Sequence, residues 1–159
     1  MNKEIYLKLH NEVKTRDYSK FYKKLEEDFG TSIPNEIHDF IHDLALKTQI
    51  TIKPSKMLYL HGFVLYISLK SYILKYQEKN QENEETQEKN KPITIIETGT
   101  AKGFSSLIMA KTLEEMNQEG TIHTIDIIPP DKPIIRNTID DLNKYPKTLY
   151  EILEPEPYK

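Results

Sequence analysis

Apolar residues recur at helical spacing through the first part of the chain. From Asn2 to about Phe29 the mixed pattern predicts helix, and Gly30 would end it because glycine tolerates the left-handed backbone of a helix C-terminus. A second helical pattern begins near Pro34, with apolar residues at the i, i+3, i+4, i+7 positions of one face. These apolar residues are Ile37, Phe40, Ile41 and Leu44.

A more continuous apolar pattern follows a break at residues 52–55 (IKPS) and predicts a third helix from about Lys56 to about Tyr76. Its most apolar part, Met57–Leu69, is shorter than the roughly 20 residues that a membrane span needs. We therefore expect a buried helix and no membrane partner. Residues 1–76 form a predicted helical N-terminal region.

Residues 77–92 (QEKNQENEETQEKNKP) contain no apolar side chain before the closing Pro92. Such a segment buries too little surface to offset the entropy lost on ordering. It is predicted to be a solvated, low-complexity linker.

The pattern changes after this linker. A β-branched run at Ile93–Ile96 predicts a buried strand, Phe104–Met116 predicts a helix, and Thr121–Ile128 predicts a second strand. Strand, glycine turn, helix and strand make a βαβ unit, with parallel strands and a right-handed crossover. Residues 93–159 are thus predicted to begin an α/β domain. Its further helical positions would be Ile134, Ile135, Ile139 and Leu142, followed by a short helix near Leu149–Leu153.

Composition narrows the function little. The chain has 159 residues, a formal net charge of −3 and no cysteine, which excludes disulfides and thiolate chemistry. No strongly basic region suggests nucleic acid, so no nucleic-acid partner is expected. The charged N-terminus is unlike a signal peptide, and a cytoplasmic location is predicted.

Two of the five glycines, Gly99 and Gly103, lie in the turn between the first predicted strand and its helix. In a βαβ unit, ligands bind beyond the carboxyl ends of the strands, where this turn opens. Asp126 ends the second strand and could accept hydrogen bonds from the hydroxyls of a ribose. Phe104 after Gly103 excludes a P-loop, and the missing third glycine disfavours a dinucleotide fingerprint.

The stretch ETGTAKGFSSLIMAKTL, followed by GTIHTIDI, resembles the cofactor loop of class I S-adenosylmethionine-dependent methyltransferases, especially bacterial small-molecule O-methyltransferases. In that family an acidic residue and a glycine-rich turn follow the first strand. Ala101 stands where the family has its middle glycine. The resemblance assigns cofactor binding to Glu97, Thr98, Gly99, Thr100, Ala101, Gly103, Ser105 and Asp126.

The resemblance implies a Rossmann-like methyltransferase fold, S-adenosyl-L-methionine as cofactor, and a small-molecule methyl acceptor. Glu97 would face the amino group of the cofactor and Asp126 its ribose. The family carries its catalytic groups on later strands, so no catalytic residue is named, and the chain is expected to be the N-terminal portion of a longer methyltransferase. A homo-oligomer is possible.

Other interpretations compete with this one. A non-catalytic interaction module with a vestigial nucleotide fold is the main alternative, and an NAD-dependent oxidoreductase is a second. His38 and His42 have the i, i+4 spacing of zinc ligands, but no third ligand is evident. They are predicted to be helix-surface residues, and no metal site is expected.

Overall fold

The computed structural model describes residues 3–49, 57–82, 91–135, 139 and 145–153. It mixes helix with strand, in agreement with the predicted α/β class. The helices are α1 (Lys3–Lys14), α2 (Ser19–Phe29), α3 (Asn35–Thr48), α4 (His61–Glu82), α5 (Phe104–Glu115) and α6 (Leu149–Leu153). The strands are β1 (Ile93–Thr98), β2 (Gly120–Ile125), β3 (Ile134–Ile135) and β4 (Pro146–Lys147).

The helical stretch predicted to extend to Phe29 is divided into α1 and α2. Near the break, the side chain of Asp17 accepts a hydrogen bond from the backbone N–H of Ser19 at 2.9 Å. This local bond offers the backbone an alternative to helical hydrogen bonding. Gly30 ends α2 as predicted, with a φ of 68° and its N–H bonded to the carbonyl of Glu26.

Helices α3 and α4 contribute the largest groups of buried residues to the larger hydrophobic core. Ile37, Ile41 and Leu44 of α3 are at most 1% exposed, which confirms the predicted apolar face. α4 begins at His61 rather than near Lys56 and continues to Glu82. The first part of the polar segment 77–92 is therefore helical. Gln, Glu and Lys, which are frequent there, are strong helix formers.

Close packing of α4 on α5 holds the helix that follows the glycine turn. A Cβ atom on Gly62 would lie only 2.8 Å from side-chain atoms of both Phe104 and Ile108, so the glycine permits this approach. Farther along, the Tyr66 hydroxyl donates a hydrogen bond to Glu115 at 2.7 Å, and the Lys70 ammonium lies 3.6 Å from the same carboxylate.

The predicted strand–helix–strand order is present, but the second strand ends at Ile125 rather than at Ile128, so Asp126 follows the strand. β1 and β2 are parallel and hydrogen-bonded, in a register that pairs Ile93 with Gly120 and Thr98 with Ile125. One face of this sheet packs on α4 and α5. The other face is open, and Ile96 is 69% exposed there.

The region after β2 differs from its prediction. Ile134 and Ile135 form β3, which pairs antiparallel with β4, instead of lying on a helix. Leu142 lies outside the described residues. The predicted short helix is confirmed as α6, and Thr148 and Glu151 form a reciprocal capping box at its start. No helix within the described ranges is long and apolar enough to cross a membrane.

A buried histidine pair corrects the prediction that the α3 histidines lie on the helix surface. His42 is 5% exposed, and its Nδ1 lies 2.7 Å from the Tyr59 hydroxyl. The Nε2 atom of His10 lies 2.7 Å from the backbone carbonyl of His42. These contacts join α1, α3 and the segment before α4. His38 is half-buried beside Tyr22.

Burial is the main reason that the pKa of His42 falls from 6.5 to about 4, with the nearby Lys14, His10 and His38 adding to the effect and Asp39 opposing it. The unfolded chain therefore binds a proton that the folded chain does not. His42 should contribute stability in full above pH 6.5, and this contribution should be lost as the pH falls towards 4. The loss amounts to about 3 kcal/mol.

We predict that His42→Gln, which can still hydrogen-bond to Tyr59, reduces the fall in unfolding free energy between pH 7 and pH 4 by about 3 kcal/mol. Urea denaturation at each pH measures this difference. His123→Gln, at an exposed site on β2, is the matched control and should leave the fall as large as in the wild type. Equal pH dependence in wild type and His42→Gln would contradict the assignment.

Candidate functional site

The turn after β1 has a left-handed backbone at alternate residues. Gly99, Ala101 and Gly103 have φ values of 82°, 48° and 80°. Glycine takes this conformation without steric cost, whereas the Cβ of an alanine disfavours it. Successive turns of this kind direct backbone N–H groups into a concavity that suits an anion.

The side chain of Asp126 supplies an anion to this turn. Its Oδ2 accepts a hydrogen bond from the backbone N–H of Ala101 at 2.8 Å, and its Oδ1 accepts one from Ile128 at 3.0 Å. The turn after β1 and the residue after β2 are therefore in direct contact. This is the juxtaposition on which the predicted site depends.

Glu97 has side-chain partners, whereas Asp126 accepts hydrogen bonds from backbone N–H groups. Glu97 lies near the end of β1, and its two carboxylate oxygens accept hydrogen bonds from the hydroxyls of Ser105 and Ser106. Both serines belong to the first turn of α5, where a carboxylate is also stabilised by the helix dipole. Ser105 is one of the predicted site residues. Ser106 is not, although it is the next residue in the same first turn of α5.

A cleft of about 250 Å³ opens beside the turn at the carboxyl end of β2. Its polar side includes Thr100, Thr124 and Asp126. The Thr100 hydroxyl is buried and has no hydrogen-bond partner among the described residues. The apolar side is formed by Ile125, Ile128, Pro129, Pro130 and Leu149.

Only some of the predicted site residues line this cleft. Thr100, Ala101 and Asp126 do, whereas Glu97, Thr98, Gly99, Gly103 and Ser105 do not. α6 explains part of the difference, since a Cβ atom on Gly103 would lie 3.4 Å from the side chain of Leu153. The Gly103 side of the turn is thus covered by α6. Leu149, Pro129 and Pro130 line the cleft but are not among the predicted site residues. The only sequence signal near them is the pair of prolines after the second predicted strand.

The charge of the cleft indicates which ligand groups it can bind. Among the described residues, its lining includes the Asp126 carboxylate and no lysine, arginine or histidine. Across the described part of the chain, no group of three His, Asp or Glu side chains could hold a metal ion. The site is therefore suited to hydroxyl or cationic groups more than to phosphate.

No family model matches the chain, and searches of curated proteins and of solved structures find no match either. A function can therefore be inferred only from the residues and the geometry of the turn and the cleft.

We predict that Glu97→Ala lowers the unfolding free energy by about 1–3 kcal/mol, because it leaves two half-buried serine hydroxyls without their acceptor. Glu97→Gln should cost less, since the amide keeps one acceptor oxygen and its NH₂ can donate to a serine. Urea denaturation compares the variants. An unchanged midpoint in Glu97→Ala would show that the serine bonds do not stabilise the turn.

Proposed function

We propose that the chain binds S-adenosyl-L-methionine and serves methyl transfer to an oxygen of a small molecule. The observation that carries the proposal is the contact between Asp126, after β2, and the glycine turn, after β1, beside an open cleft. In this proposal β1, α5 and β2 are the opening part of a Rossmann-like methyltransferase domain. The cofactor, when bound, would supply an electrophilic methyl group.

The charge of the turn favours this cofactor over a dinucleotide. A pyrophosphate would need the backbone N–H groups of the turn, yet Ala101 already donates to Asp126. A second carboxylate, Glu97, lies at the start of the same turn. Like charges placed together are repulsive, whereas the sulfonium and ammonium groups of S-adenosylmethionine are cationic. NAD is therefore the weaker candidate.

The residues at the cleft fit the nucleoside part of the cofactor. A carboxylate can accept about four hydrogen bonds, so the amides of Ala101 and Ile128 do not by themselves exhaust Asp126. The apolar side of the cleft offers a surface for a base. Glu97 would interact with the amino group while its serine partners hold it in place.

One observation supports the alternative of an interaction module. The outer face of the sheet exposes Ile96 at 69% and Ile125 at 59%, and Ile127 beyond β2 is 97% exposed. Apolar exposure on a parallel sheet is unusual, because such sheets are normally covered on both faces. A second element, from this chain or another, could cover it.

We predict that the full chain binds S-adenosylmethionine and that Asp126→Ala weakens binding about ten- to a hundredfold, as expected for loss of a hydrogen bond to a charged group. Isothermal titration calorimetry measures both affinities. Asp131→Ala removes the same charge from an exposed neighbour and should bind like the wild type.

Titration with NAD separates the competing ligands. Binding of NAD but not of S-adenosylmethionine would favour the oxidoreductase. If neither ligand binds to the folded chain, the proposal fails and the interaction module becomes the better interpretation.

A further inference from the structure

We propose that Asp126 is a positioning residue for the glycine turn: its carboxylate holds Ala101 in the left-handed conformation before any ligand binds. This proposal deepens the proposed function. Only its expected effect on cofactor affinity rests on that function. The shape of the ligand-free turn can be tested independently of any ligand.

Ala101 is the strained residue of the turn. Apart from glycines, only Ala101 and Asn117 among the described residues have a positive φ, and Asn adopts this conformation more readily than Ala. For an alanine the left-handed region is disfavoured by a factor of about five to thirty. Some interaction must offset this strain.

The hydrogen bond to Asp126 is strong enough to do so. The Ala101 N–H lies 2.8 Å from a carboxylate oxygen, and hydrogen bonds to charged groups contribute a factor of about ten to a hundred. Asp126 is itself held by the N–H of Ile128 at 3.0 Å, which fixes the carboxylate at the tip of β2. The bond is therefore of the size needed to offset the strain at Ala101.

Two neighbouring amides report on the shape of the turn. The N–H of Gly103 donates to the carbonyl of Thr100 at 2.7 Å, closing the short turn that contains Ala101. The N–H of Gly99 donates to the carbonyl of Ile125 at 2.7 Å and continues the strand pairing outside that short turn. If Ala101 leaves the left-handed region, the Gly103 bond should weaken while the Gly99 bond persists.

The experiment is amide hydrogen exchange, measured by NMR on the ligand-free full chain. In Asp126→Ala we expect the amides of Ala101 and Gly103 to exchange at least tenfold faster and that of Gly99 to be unchanged. Adding Ala101→Gly to Asp126→Ala should restore the protection of Gly103, because glycine needs no partner to adopt the turn. The amide at position 101 should stay unprotected.

Several results would overturn the proposal. Full protection of Gly103 in Asp126→Ala would show that the turn keeps its shape without the carboxylate. Loss of protection that Ala101→Gly does not restore would show that strain at Ala101 is not the cause. If Asp126→Ala does not fold, Asp126→Asn, which retains one acceptor oxygen, replaces it under the same criteria with a smaller expected change.

Cofactor affinity supplies a separate readout. Under the proposed function, the double variant should recover about tenfold of the affinity lost in Asp126→Ala. Absence of S-adenosylmethionine binding in every variant would defeat the proposed function. The hydrogen-exchange result on the ligand-free turn would still decide whether Asp126 holds Ala101 in the left-handed conformation.

Discussion

The parallel pairing of β1 with β2 is the constraint on which the site depends. Its register places Thr98 opposite Ile125, so the two strands end together and their following residues meet at one edge. The Gly99 N–H extends the pairing into the turn, and Asp126 follows Ile125 directly. Helix α5 connects the two strands, and its close packing on α4, which requires Gly62, holds it against the sheet.

Most of this arrangement could be predicted from the sequence, because a βαβ unit is specified by local patterns. The β-branched run before Gly99, the apolar helix after Gly103 and the position of Asp126 are all visible in the residues themselves. The partners of each carboxylate were not visible. Whether Glu97 faces the serines of α5 or the cleft depends on side-chain packing that no periodicity encodes.

Two of the errors share a physical origin in contacts between residues far apart in the chain. His42 was assigned to a helix surface, but α1 and Tyr59 cover it. Ile134 and Ile135 have a helix-compatible spacing, yet pairing with Pro146 and Lys147 decides their conformation. Tertiary contacts of this kind override local preference.

The alanine at position 101 is where local preference and the observed conformation disagree most. A glycine at position 101 would adopt the left-handed conformation without a partner, whereas the conformation of Ala101 depends on the Asp126 carboxylate. A residue that both shapes the turn and faces the cleft links ligand contact to turn geometry. Strain that persists only because surrounding groups over-determine it is typical of functional sites. Ala101 therefore couples the turn after β1 to the residue that follows β2.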